Sequence, residues 1–141
     1  MKNVLFLGES PGRSWRDGSV PVGGRNARRL GALLGMCGPA FLQRFSTANV
    51  LDTIDEFPMT EARRAARRMD FSRYDLVVML GRKVQQALGF PGMAWFGVVE
   101  RDGTQFLAFP HPSGRNRWWN DPDNVDTAAE VLRSEIKLLA P

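Results

Sequence analysis

The sequence predicts an α/β protein in which helices pack on a central, mostly parallel sheet. Three observations carry that prediction. Short apolar runs end in glycine, as in Asn3–Leu7 before Gly8 and Asp75–Leu80 before Gly81. Segments with helical periodicity lie between such runs. Strands that alternate with helices pair in parallel, because each crossover returns the chain to the same end of the sheet.

The elements follow in order. Asn3–Leu7 reads as a buried strand that enters a loop at Gly8-Glu9-Ser10-Pro11-Gly12. Residues 18–24 hold Pro21 and three glycines and read as loop. From Asn26, the spacing of Ala27, Leu30, Gly31 and Leu34 predicts a helix that stops at Gly35 or Gly38. Phe45–Leu51 reads as a second strand leading to Asp52. Pro58 and Thr60 announce a helix with a narrow stripe of Ala62, Ala65, Ala66 and Met69. Its other side carries Arg63, Arg64, Arg67 and Arg68, which reads as a solvated face with some long-range attraction for nucleic acid. Asp75–Leu80 is the clearest strand, and Val84–Leu88 is helical. Residues 97–100 and 104–107 form a hairpin around Asp102-Gly103, a strong turn pair. Phe109–Trp119 reads as loop. A last helix is expected from Asp126 or Thr127, with Thr127 and Glu130 at capping-box spacing and a face of Ala128, Leu132, Glu135, Ile136 and Leu139.

Length and composition bound the function. With 141 residues, 43% apolar and 24% charged, the chain is expected to form one domain over residues 1–141. Its core is large enough to fold without disulfides or a metal. No apolar run approaches the roughly 20 residues of a membrane span, and the apolar start before Glu9 is too short for a signal peptide. Lys and Arg number 19 against 15 Asp and Glu, a net charge of +4, and 16 of the 19 are Arg. Arginine's planar fork suits phosphate and base edges, so a polyanionic partner is expected, most often nucleic acid. Cys37 is the only cysteine and His111 the only histidine. That pair excludes an intrachain disulfide and zinc sites built from several Cys or His. The single thiol suits a reducing compartment, and a small Arg-rich chain of this kind is consistent with the cytoplasm of a bacterium or a phage-infected cell.

In parallel sheets, ligands bind beyond the carboxyl ends of the strands. Three loops fall there: residues 8–12, the segment around Asn49, and residues 110–119. Gly8 lets a ligand approach the backbone closely, and Glu9 can hold a water or act as a base, although a plain structural turn accounts for the same residues. The first loop lacks the phosphate-loop and dinucleotide glycine spacings. Asn49 offers donor and acceptor side by side, enough to read a base edge or to cap a turn. His111 lies between Pro110 and Pro112, which stiffen its backbone. Ser113, Arg115, Asn116, Arg117 and Trp118 follow, a set able to grip a phosphate backbone and stack on bases. Trp119 reads equally as an anchor pinning that loop.

These motifs in this order resemble the uracil-DNA glycosylase superfamily: Gly8-Glu9-Ser10-Pro11-Gly12, Val22-Gly23-Gly24 opening a helix, Thr47-Ala48-Asn49-Val50, Val77-Val78-Met79-Leu80-Gly81, and His111-Pro112-Ser113-Gly114-Arg115-Asn116. The resemblance spans nearly the whole chain. The first motif is closest to the family 4 (thermophile-type) enzymes. The last is similar both to the His-Pro-Ser motif of the classical enzymes and to the Pro-Ser-Gly loop of the mismatch-specific ones. The resemblance implies a three-layer α/β/α sandwich and hydrolysis of the N-glycosidic bond of a pyrimidine flipped out of DNA. It implies His111, Glu9 and Ser10 as the catalytic set, with His111 stabilising charge on the pyrimidine oxygen and Glu9 positioning or polarising water. Asn49 and Gly8 would bind the base. Ser113 would meet a flanking phosphate, and Arg115 would wedge into the vacated stack.

The departures are specific. Ser10 stands where the fastest members carry Asp or Asn. The family's base-stacking Phe has no counterpart, because Pro21 or Val22 falls at that place in the base pocket. The iron–sulfur cysteines of family 4 are missing, so no cofactor is expected. DNA, single- or double-stranded, is the expected partner of a monomer that does not meet membranes. Two other readings stay open: a glycosylase-fold enzyme acting on a hypermodified base, and a nucleic-acid-binding module without catalysis.

Overall fold

The computed structural model describes residues 3–11, 21–54 and 56–138. Gly12, the first part of the expected 18–24 loop and Leu139 lie outside them. The elements are β1 (Val4–Gly8), α1 (Gly24–Leu33), α2 (Gly38–Arg44), β2 (Ser46–Asn49), α3 (Met59–Arg68), β3 (Leu76–Leu80), α4 (Arg82–Ala87), β4 (Val98–Arg101), β5 (Thr104–Phe109), a short 3-10 turn over Arg117–Asn120, and α5 (Pro122–Leu138). The five strands form one sheet in the order β2-β1-β3-β5-β4. β2, β1, β3 and β5 run parallel, and β4 pairs antiparallel with β5 at the edge.

β1 and β3 are buried along their whole length, which is why both read as unbroken apolar runs rather than alternating ones. The side chains still alternate between the two faces. Phe6, Val78, Leu80, Leu107 and Phe109 pack with α1, α2 and α5, whereas Leu5, Leu7, Val77, Met79 and Phe106 pack with α3 and α4. The sandwich therefore has three layers, α1, α2 and α5 on one face and α3 and α4 on the other. The hairpin pairs Arg101 with Thr104. Asp102 and Gly103 take φ of 53° and 83°, the two left-handed residues of a type I′ turn.

Three expectations need correction. Residues 38–44 are helical, and the second strand is only Ser46–Asn49. Phe41 and Phe45 are one helical turn apart and both pack edge-on against Phe6, at 4.8 and 5.4 Å. Phe45 caps α2 with extended backbone, its N–H donating to the Phe41 carbonyl at 3.0 Å and its ring joining Phe41 on Phe6, so the strand opens one residue later. The last helix begins at Pro122, ahead of Asp126. Asp121 Oδ1 accepts the Asp123 N–H at 2.9 Å, and proline fits the first helical position, where no N–H is needed. Thr127 is inside that helix and donates its hydroxyl to the Asp123 carbonyl, so Thr127 and Glu130 form no capping box. α1 likewise starts at Gly24 rather than Asn26. Among the described residues, no helix is long and apolar enough to cross a membrane.

Phe41 is fully buried between Phe6 and Phe45. Phe41→Ala is expected to lower the unfolding free energy by about 3–5 kcal/mol through lost burial and the cavity left behind. A urea titration followed by circular dichroism measures this as an earlier midpoint.

Candidate active site

The four parallel strands deliver their carboxyl ends to one edge of the sheet. Across that edge lie Asn49 at the end of β2, Gly8 and Glu9 at the end of β1, Gly81 after β3, and Pro110-His111 after β5. Pairing continues past the strands and fixes the first loop. Val50 N–H donates to the Gly8 carbonyl and Leu51 N–H to that of Glu9, both at 3.0 Å.

Two glycines bring the side chains together. A Cβ on Gly8 would fall 2.7 Å from Asn49 Oδ1 and 3.3 Å from a Val22 methyl. Asn49 and Val22 therefore close over the backbone of Gly8. Gly81 has φ of +103°, and a Cβ there would meet Glu9 Oε2 and His111 Cβ, each at 3.3 Å. The Glu9 carboxylate and the His111 ring converge on the space that this missing side chain leaves. Gly81 N–H donates to the Phe109 carbonyl at 2.9 Å, tying the glycine to the strand that carries His111.

His111 is a neutral imidazole at neutral pH. Burial lowers its pKa below the ordinary 6.5; the Glu9 carboxylate opposes that shift and the Lys83 ammonium adds to it. Its Nδ1 accepts the Ser113 N–H at 3.0 Å, which leaves the proton on Nε2. The ring thus presents a fixed N–H donor without carrying charge. Its backbone is equally constrained, because the His111 carbonyl accepts from Asn116 Nδ2 at 2.9 Å and from Trp119 Nε1 at 2.7 Å.

The 110–119 loop divides its residues between support and exposure. The Asn116 amide, expected on DNA, is engaged at both ends within the loop, its Oδ1 accepting the Trp118 N–H at 3.1 Å. Trp118 is half-buried against Trp119 and Phe96, and its carbonyl accepts from Asn124 of α5. Trp119 is buried. Ser113 Oγ accepts the Arg115 N–H at 3.2 Å. Arg115 and Arg117 are exposed, and Ser10 and Glu9 are half-buried. Of the two residues at the vacant aromatic position, Pro21 is half-buried. Val22 is buried against Gly8 at φ of 56°, a strained setting for a β-branched residue.

Lys83 escaped the sequence reading of the site, in which the motif after β3 ended at Gly81. The signal was present in the strand-glycine-helix junction, which brings the start of α4, and with it the Lys83 charge, near His111. Arg82 lies over the Trp95 ring at 3.7 Å and donates to the Met93 carbonyl. Cys37 stands alone and exposed, so an iron–sulfur cluster finds no ligand set here.

A family model described as the Uracil DNA glycosylase superfamily matches residues 1–133. The chain belongs to that superfamily. No curated protein matches the sequence.

Because His111 is the only histidine, its titration is readable as a single imidazole signal by NMR. Its midpoint is expected below 6.5. Lys83→Gln should move it up and Glu9→Gln should move it down, since each variant removes one of the two named charges. The depressed value also costs stability as pH falls: the unfolded chain takes up its proton first, so unfolding becomes easier below about pH 6.5.

Proposed function

We propose that the protein is a DNA glycosylase that hydrolyses the N-glycosidic bond of uracil or a related pyrimidine flipped out of DNA. The observation that carries the reading is the convergence of Glu9 and His111 on Gly81, at the binding edge of a chain in this superfamily. In the reaction, the bond between the sugar C1′ and the pyrimidine N1 breaks, and its electron pair leaves with the base. The base becomes an anion with charge shared onto its ring oxygen, and the sugar becomes an oxocarbenium ion. Water adds to C1′ and loses a proton.

His111 Nε2–H is the donor that meets the developing oxygen charge. A neutral ring held by Ser113 needs no reorganisation, which is the condition under which such a donor is most effective. Glu9, across Gly81, holds the attacking water and opposes the positive charge on the sugar. Asn49, closed over Gly8, reads the pyrimidine edge. Arg115 fills the vacated stack, and Ser113 and Arg117 meet the flanking phosphates. Ser10 replaces the acidic or amide residue of faster members, and Val22 replaces the aromatic floor. Both changes favour a slower enzyme or a pyrimidine other than unmodified uracil.

The test is excision from labelled single- and double-stranded oligonucleotides carrying uracil, 5-hydroxymethyluracil, thymine opposite guanine, or hypoxanthine, with alkali cleaving any abasic site. One of the pyrimidines is expected to be released. His111→Ala should slow release by roughly 100–1,000-fold while DNA affinity stays within about twofold. Bound DNA with no base released from any substrate would instead favour the non-catalytic binder.

A further inference from the structure

The first half of α1 carries a basic stripe that excision does not use. Arg25, Arg28 and Arg29 recur at helical spacing and continue into Ala32 and Leu33. This side of α1 borders an open cleft of about 880 Å³ whose other wall is α5, with Ala129 and Arg133. Trp119 lines it too. Asp126 and Glu130 are its acids, so the lining holds four arginines and two carboxylates.

Two of the guanidinium groups are held in place. Arg29 lies over the Trp119 ring at 5.1 Å. Its Nη1 is buried and has no hydrogen-bond partner among the described residues, so packing against Trp119 holds this end of the guanidinium. Arg133 reaches across from α5, its Nε donating to the Leu33 carbonyl at 2.7 Å. Forks oriented by an aromatic face and by a carbonyl suit phosphate oxygens better than mobile lysines do.

We propose that this cleft is a second phosphate-binding site, which seats the backbone of a single DNA strand continuing away from the flipped nucleotide. The proposal rests on the glycosylase reading for the presence of that strand. From Arg25 to Leu33 the helix rises about 12 Å, room for successive phosphates. α1 and α5 both begin at the carboxyl end of the sheet, so the cleft opens beside the 110–119 loop. Trp119 joins the two regions: one ring face meets Arg29, and its Nε1 bonds the His111 carbonyl.

The test uses a short labelled single strand of adenine alone, which offers phosphates but no pyrimidine. Its affinity is measured by fluorescence anisotropy across a salt series for the parent, for Arg25→Gln/Arg28→Gln and for His111→Ala. Both arginines are exposed, and thermal unfolding verifies that the double variant keeps its fold. Loss of two phosphate contacts should reduce the slope of log affinity against log salt by about 1.4 and weaken low-salt binding by about tenfold. His111→Ala should bind like the parent. An unchanged slope in the double variant, with the parent binding and excising normally, would overturn the cleft while leaving the glycosylase reading intact. Binding of deoxyadenosine monophosphate or inorganic phosphate that is lost in the double variant, while strand affinity and salt slope stay parental in that variant, would make the cleft a small-anion site and overturn the strand. A parent that neither binds nor excises would overturn both.

Discussion

Parallel pairing of β1 with β3, and of β3 with β5, is the constraint on which everything else at the binding edge depends. It sends three consecutive carboxyl ends to one rim, so residues far apart in the chain arrive side by side. At that rim one glycine holds the centre. Gly81 leaves β3 at a φ that side chains avoid, and a Cβ there would press at 3.3 Å on Glu9 from one side and on His111 from the other. The same backbone conformation therefore sets the turn after β3 and the approach of Glu9 to His111.

The second constraint is the neutrality of His111. A protonated ring would pair with Glu9, whereas a neutral one keeps its Nε2–H as an uncharged donor. Burial and Lys83 outweigh Glu9 and keep it uncharged, while the Ser113 N–H selects the tautomer. The loop that follows stabilises this arrangement. Asn116 and Trp119 both bond the His111 carbonyl, and Trp118 packs the loop onto Phe96. Residues that look like a nucleic-acid grip in sequence thus divide by burial, with Asn116, Trp118 and Trp119 as framework and Arg115 and Arg117 outward.

Much of this was legible from the chain. β1 and β3 are apolar runs closed by glycine, and the Asp102-Gly103 hairpin declares its turn type, so the sheet and its binding edge follow from local patterns. The glycosylase resemblance rested on loops at those strand ends, and the superfamily match over residues 1–133 agrees with it. What stayed hidden depends on tertiary packing. Phe45 reads as β-prone until Phe6 is known to lie beneath it. Asp121-Pro122 competes with Thr127 as a helix start, and only the Asp121 hydrogen bond decides. Lys83 acts on His111 through space, and the arginines of α1 acquire meaning only opposite α5.

The most direct measurement is single-turnover base release by Gly81→Ala beside the parent, on the substrate the parent prefers. A methyl group there intrudes between Glu9 and His111 and strains the backbone at the start of α4, without removing either functional group. The expected result is a chemical step slowed by about tenfold or more, with DNA affinity and the unfolding transition of a folded protein retained. Release at the parental rate in a folded Gly81→Ala variant would contradict the convergence of Glu9 and His111 as the seat of the chemistry.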